Sequence, residues 1–313
     1  MSRLSIIIPV FFSSDTLLDC YMDVRKTVTP IISDYELVIV DDGSDDNTWD
    51  ICKDIASKDA NVHLIKLSRN FGSHAACYAG LSVCTGDCAA IKAADNQEPS
   101  SLILDMYHSW EQGNRVVIAS REDRDESGLQ KAFANLYYRI VRRFVNKEMP
   151  KTGFDCYLLD RRAIEALKLL DERHSAITLQ ILWTGFKTST VSYTRLARQV
   201  GRSRWTLSKK VKLVLDSIIS FSPAPVRFLE WTGILFALGA TIWGFSIAVA
   251  RIFGFISVEG WTMLMVTILL SSGLIMLSLG ILGEYIWRIF DVAQNRPVYI
   301  VEEEVNNKEQ SQS

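Results

Sequence analysis

The chain lacks several features that would assign it quickly to a known chemistry. It has no charge surplus: 34 Lys and Arg against 36 Asp and Glu leave a formal net charge of −2. That removes the bulk electrostatic case for nucleic acid as a partner. The six cysteines, Cys20, Cys52, Cys77, Cys84, Cys88 and Cys156, include no CxxC pair. Most lie in apolar stretches, where a free thiol packs as a small hydrophobe, and reduced thiols in a cytosolic domain are the simplest reading. His63, His74, His108 and His174 are scattered with no HxxxH spacing for a metal. No Ser/His/Asp or Cys/His arrangement is evident. Neither GxGxxG after a strand nor GxxxxGK[ST] occurs, which weakens the dehydrogenase and NTPase readings. The N-terminus is a short apolar strand without a cleavage site, so no signal peptide is indicated.

Long apolar runs are present, but only at one end. Trp231–Ala250 and Trp261–Gly283 are uncharged, and each reaches the roughly 20 residues that a helix needs to cross a bilayer. A short connector makes the pair a helical hairpin. Lys209, Lys210, Lys212 and Arg227 precede the first span and Arg288 and Arg296 follow the second. The connector carries Arg251 offset by Glu259. This distribution places both ends and the N-terminal domain in the cytoplasm. Two basic amphipathic stretches, 129–147 and 206–221, have the pattern of helices lying in the headgroup plane, core-facing helices being the alternative, evenly weighted for 129–147. The tail from Glu302 is polar and reads as disordered.

The first half alternates apolar runs with helical patterns. Ser5–Val10, Tyr35–Val40, Val62–Leu67 and Cys88–Ala93 read as strands buried on both faces. Ser14–Val28, with Ser14 or Asp15 as cap, Thr48–Ala56 and His74–Cys84 read as helices. The alternation predicts a mostly parallel α/β sheet, whose ligands collect at the carboxyl ends of the strands. Those ends carry Pro9, Asp41, Asp42 and Asp95. Carboxylates at strand ends point to phosphates held through a hard divalent cation.

In order along the chain stand Ile6-Ile-Ile-Pro-Val10, Val40-Asp-Asp-Gly-Ser44, Arg69-Asn-Phe-Gly72, Ala94-Asp-Asn-Gln-Glu-Pro99, Gly153-Phe-Asp155, Leu159-Asp-Arg-Arg162, Arg198-Gln-Val-Gly-Arg-Ser-Arg-Trp205 and Ser220-Phe-Ser222. With the two C-terminal spans, this set resembles the family 2 glycosyltransferases of the polyprenyl-phosphate type, which include bactoprenol glucosyltransferases and dolichol-phosphate mannose synthases. The resemblance implies a GT-A type nucleotide-sugar-binding domain over residues 1–205. An amphipathic juxtamembrane segment over 206–228, two transmembrane helices over 229–288 and a cytoplasmic tail over 289–313 would follow.

The resemblance also implies roles. Pro9, Asp41, Asp42, Arg69, Asn70 and Asp95 would bind the nucleotide sugar. Asp95 and Gln97 would ligate Mg²⁺ or Mn²⁺ on the donor diphosphate. Ala93 departs from the pattern, standing where the family's first DxD aspartate belongs. Glu98 is either a further ligand or a helix-start carboxylate, the latter slightly preferred, and Pro99 fits the first turn of the next helix. Arg121, Arg124, Arg198, Ser203 and Arg204 would hold the acceptor phosphate, with Asp95, Arg121, Arg198 and Arg204 carrying catalysis; a solvated charge run is the alternative for Arg121 and Arg124, and a membrane-surface role for the Arg198–Arg204 loop. Asp155 and Asp160 fall in the acceptor-side region, although Asp160 has the simpler reading of a salt bridge to Arg161 or Arg162.

The implied reaction is inverting transfer of a hexose or N-acetylhexosamine from a UDP-linked donor to undecaprenyl phosphate. It would run in a homo-oligomer, plausibly a tetramer, in the lipids of the bacterial inner membrane. An inactive scaffold, favoured only by Ala93, and a processive polysaccharide synthase, whose QxxRW signature is missing, are the alternatives.

Overall fold

The computed structural model describes residues 2–121, 138–139, 141–143, 146–170, 176–196, 219, 222, 224–253 and 260–306. The chain divides into two compact units: residues 1–214 together with 297–313, and residues 215–296.

The first unit is built on one eight-stranded sheet. In chain order its elements are β1 (Leu4–Val10), α1 (Leu17–Val28), β2 (Tyr35–Asp41), α2 (Thr48–Lys58), β3 (Val62–Leu67), α3 (Ser73–Val83), β4 (Cys88–Ile91), α4 (Ser101–Glu111), β5 (Val116–Arg121), β6 (Tyr157–Asp160), α5 (Arg161–Lys168), α6 (Ile177–Trp183), β7 (Thr188–Tyr193) and, after the second unit, β8 (Val301–Asn306). The strand order is β7-β5-β6-β4-β1-β2-β3-β8. The central strands β4, β1, β2 and β3 run parallel; β6 and β8 run antiparallel to their neighbours, and β5 and β7 pair in parallel. This is the mostly parallel α/β architecture expected of continuous apolar runs such as Ile6–Ile8 and Leu37–Val40, all at most 1% exposed. Helix α3 lies directly on the sheet, so closely that a Cβ on Gly80 would stand 2.4 Å from the Ile7 side chain. All six cysteines are free and buried within this unit.

Pro9 gives the sheet its opening. The β1–β4 ladder ends at Ile7↔Ile91, with Lys92 N–H donating to Ile7 O at 3.0 Å. Two residues on, Pro9 has no N–H to continue the bonding toward β4. The chain after Lys92 is therefore released from the sheet and turns away carrying Asp95 and Gln97.

Three local expectations are corrected. Helix α1 starts at Leu17 after Thr16, without a side-chain cap from Ser14 or Asp15. Helix α4 starts at Ser101 after Ser100, whose hydroxyl donates to Asp23 and does not cap the helix, so Pro99 precedes the first turn and does not sit in it. The polar tail is ordered through Asn306: β8 pairs with β3 from His63↔Asn306 to Leu67↔Val301. Three of its acidic side chains are matched, Glu302 to Lys66 at 3.1 Å, Glu303 to Trp49 Nε1 at 3.0 Å and Glu304 to His63 Nε2 at 2.7 Å. Polar composition failed as a guide because an edge strand with such partners needs little apolar surface.

The second unit contains two long helices, α7 (Ala224–Ile252) and α8 (Trp261–Ala293). Ala224–Ile247 and Leu264–Ala293 are long and apolar enough to cross a membrane, and their most apolar stretches have no residue buried within the protein. The amphipathic stretch 206–221 lies almost wholly outside the described residues, as does most of 129–147.

Candidate active site

Because β1–β5 and β7 run in one direction, their carboxyl ends share one edge of the sheet, where ligands of such sheets bind. This edge collects the turn after β2, the loop after β3, the turn after β4, Arg121 at the end of β5 and the segment after β7. Asp155, just before the antiparallel β6, joins them.

The first part is the Asp41–Ser44 turn. Asp41 is fully buried and accepts from the Ser44 hydroxyl at 2.5 Å and the Ser44 N–H at 3.2 Å. Asp42 accepts from the N–H groups of Phe71 at 2.7 Å and Gly72 at 3.0 Å. Burial pushes both carboxyls above the ordinary aspartate value, with these hydrogen bonds pulling the other way. Asp41 thus closes the turn on itself, and Asp42 fastens it to the Arg69–Gly72 loop. Asp41 Oδ2 stays buried without a partner. The joint is tight: Gly43 has φ +69°, and a Cβ there would lie 2.4 Å from the Arg69 carbonyl carbon. Arg69 and Asn70 are exposed, with the Arg69 guanidinium 4.6 Å above the Phe71 ring.

The second part is the turn after β4. Gln97 N–H donates to Asp95 Oδ1 at 3.3 Å, and Asn96 between them takes φ +53°. Gln97 is buried; its carbonyl accepts from Leu196 N–H at 2.9 Å, and its side-chain oxygen accepts from the Arg195 guanidinium. Glu98 is 3% exposed and its Oε2 has no partner. Burial pushes its carboxyl up, Asp95 adds to this, and Arg195 opposes it.

The third part is Arg121, which donates to Asp155 Oδ2 at 2.5 Å and to the Tyr193 hydroxyl at 3.2 Å. Burial pushes the Tyr193 phenol up to about 12, and Glu98 adds to the rise. Tyr193, which accepts from Arg121, stands two residues before Arg195, which holds Gln97. Arg124, Arg198, Ser203 and Arg204 lie outside the described residues.

Asp160 has a structural task. It caps α5 by accepting from Arg162 N–H at 3.0 Å and also accepts from Trp110 Nε1 at 3.0 Å and Arg115 at 3.2 Å. The salt bridge expected with Arg161 or Arg162 is thus made with Arg115. Tyr193 and the Arg195–Gln97 contact were not legible in the sequence, since neither residue is near its partner along the chain. Lys92 left a signal, a lysine in an otherwise apolar strand run, that the sequence reading passed over.

As for a divalent cation, among the described residues no group of three or more His, Cys, Asp and Glu converges to hold one. Asp95 and Gln97 supply two oxygen donors of the type Mg²⁺ and Mn²⁺ accept, and the buried unpartnered carboxylate oxygen of Glu98 follows in the same turn. Such a set fits a cation whose other ligands come from a diphosphate, as Mg²⁺ sites commonly do.

Residues 5–168 match the family model described as glycosyl transferase family 2. The chain is 34% identical to the uncharacterised glycosyltransferase YkcC of Bacillus subtilis over 299 residues, covering 95% of this chain and 93% of that one. It is 32% identical to the prophage bactoprenol glucosyl transferase homolog of Escherichia coli over 300 residues, covering 96% and 98% of the two chains. The bactoprenol glucosyl transferase of Shigella phage SfV is also 32% identical, over 304 residues covering 96% and 99%. Among solved structures, glucosyl-3-phosphoglycerate synthase from Mycobacterium tuberculosis, in complex with Mn²⁺, UDP-glucose and phosphoglyceric acid, superposes with a TM-score of 0.52 at 16% identity, covering 70% of this chain and 79% of that one. That likeness concerns the fold, while the sequence matches span both units. The chain belongs to glycosyl transferase family 2, among relatives named bactoprenol glucosyl transferases.

Proposed function

We propose that this glycosyltransferase moves a hexose, with glucose the first candidate, from a UDP-sugar to undecaprenyl phosphate at the cytoplasmic face of a bacterial inner membrane, with inversion at the anomeric carbon. The observation that carries the reading is the meeting of donor-type and acceptor-type groups at one sheet edge: Gln97 of the turn is held by Arg195, two residues beyond Tyr193, whose hydroxyl accepts from Arg121 at the end of β5. The full-length match to relatives named for bactoprenol supports the acceptor, and the two membrane-length helices support access to it.

On this reading Asp95 and Gln97 hold the divalent cation, which when bound supplies charge neutralisation to the departing diphosphate. Gln97 becomes available when Arg195 leaves its side-chain oxygen, which frees a guanidinium for phosphate. Asp41 and Asp42 shape the nucleoside pocket, Asp41 by closing its turn through Ser44 and Asp42 by fixing the Arg69–Gly72 loop. Arg121, held in place by Asp155 and Tyr193, orients the acceptor phosphate, joined by Arg124, Arg198, Ser203 and Arg204. The acceptor is already an anion near neutral pH, since a phosphate monoester has its second pKa at about 6. Orientation therefore matters more than a strong general base.

The test is transfer of radiolabelled sugar from a panel of UDP- and GDP-sugars into undecaprenyl phosphate, with and without EDTA. A mild-acid-labile lipid product from UDP-glucose, abolished by EDTA, is expected. No product from any donor, with folded and membrane-inserted protein, would favour the inactive scaffold that Ala93 alone suggests.

A further inference from the structure

The turn that carries Asp95 and Gln97 rests on a buried charge that the reaction scheme does not use. Lys92 is 1% exposed, one of the largest fully buried side chains in the protein. Its ammonium donates to the Glu98 carbonyl at 2.6 Å. At the other end of the turn, Cys20 Sγ lies 3.8 Å from the Ala93 carbonyl, in donor geometry. The segment Ala93–Glu98 is thus held at both ends by side chains beneath it, while Arg195 and Leu196 hold Gln97.

An ammonium is costly to bury unless it is paired, and an apolar side chain would fill this place without that cost. Glu98, whose carbonyl takes this ammonium, is itself 3% exposed. Ala93 makes the arrangement consequential. With no carboxylate at that position, Asp95 and Gln97 carry the protein's share of the coordination, and their relative placement depends on the turn that Lys92 clamps.

We propose that Lys92 is a positioning residue for the cation-binding turn: its hydrogen bond to the Glu98 carbonyl fixes the placement of Asp95 relative to Gln97. This rests on the proposed function, because it takes the turn to be the cation–diphosphate site.

The test measures binding of Mn²⁺ with UDP to the full-length protein, by titration and by the electron paramagnetic resonance spectrum of bound Mn²⁺, alongside thermal melting. Lys92→Met is expected to weaken Mn²⁺–UDP binding tenfold or more and to alter the Mn²⁺ spectrum. Because Lys92→Met changes a buried position, Lys92→Gln, which keeps a hydrogen-bond donor without the charge, is measured with it, and thermal melting establishes that each variant is folded. Lys92→Gln is expected to recover part of the Mn²⁺–UDP affinity that Lys92→Met loses. Wild-type affinity and spectrum in a folded Lys92→Met variant would overturn the inference. Wild-type protein that binds no Mn²⁺–UDP would overturn the donor-site reading and this inference together; unchanged binding in both variants overturns this inference alone.

Discussion

Gly43 stands where two loops of the site meet, at φ +69° with the Arg69 backbone occupying the space a side chain would need. Two independent penalties fall on any substitution there. A left-handed backbone costs an L-residue about 1–2 kcal/mol, and the clash is with main chain, which cannot rotate away. Relief requires the Arg69–Gly72 loop to move, and that loop is pinned by both oxygens of Asp42. Gly43→Ala is therefore expected to lower stability by at least about 1–2 kcal/mol and, if the loop borders the nucleoside, to weaken UDP binding tenfold or more. Melting curves and nucleotide titration of the same preparation check both parts. Native UDP affinity in a destabilised variant would separate this joint from the donor site. The Asp-Asp-Gly-Ser sequence announces a turn, but the reason for its glycine is legible only once the loop 26 residues further along is in place.

At the scale of elements, β2 carries a charge inside the sheet. Glu36 is 5% exposed and accepts from Ser5 Oγ at 2.5 Å, Thr85 N–H at 2.5 Å, Thr85 Oγ1 at 2.7 Å and Arg3 at 3.1 Å. Burial alone would raise its carboxyl, but these donors outweigh burial and hold it below the ordinary glutamate value. A carboxyl with a depressed folded pKa adds stability that is complete above its unfolded value and is lost as pH falls through the folded one. Glu36→Gln should thus destabilise the protein by about 1–3 kcal/mol at pH 7. The gap to the wild type should close as pH drops below the ordinary glutamate range. Denaturant melts at pH 7 and at successively lower pH through the depressed folded value decide it, and a gap that stays constant throughout would mean the charge is not the cause.

The neighbouring edge strand β8 illustrates what sequence reading reaches and misses among the elements. The central strands β1–β4 were legible because runs buried on both faces are continuously apolar. β6 is only four residues, too short for a period, and β8 sets three consecutive glutamates between its two valines. What makes β8 a strand is its partner, Lys66, His63 and Trp49 meeting three consecutive glutamates. Removing residues 301–313 should lower stability by about 2–4 kcal/mol, the sum of several backbone hydrogen bonds at their modest net value. It should also leave the β3 edge open to association. Melting and light scattering of the truncated protein test this, and an unchanged melting temperature would make β8 an ornament of the sheet.

For the whole molecule, β8 constrains the path of the chain. The first unit contains residues 1–214 and takes the chain back at Pro297. The two helices between, if they cross a bilayer, must return the chain to the side from which it left, an even number of crossings. That argument does not depend on charge, whereas the assignment of the side does: Lys209, Lys210, Lys212 and Arg227 before the first span and Arg288 and Arg296 after the second favour the cytoplasm. Single cysteines at Gly260 and Gln294, the residues flanking α8, separate the two claims. The native protein needs no cysteine-free background, because all six thiols are buried. Burial pushes the Cys20 and Cys77 thiols up to about 12, leaving almost no thiolate at neutral pH to react. In intact cells, a membrane-impermeant maleimide is expected to label Gly260→Cys and to reach Gln294→Cys only after the membrane is opened. Labelling of both from outside would place the helices on the surface without crossing. The reverse pattern would keep the two crossings that β8 demands while inverting the orientation read from the cations, and would put the proposed donor site on the side of the membrane where nucleotide sugars are not supplied.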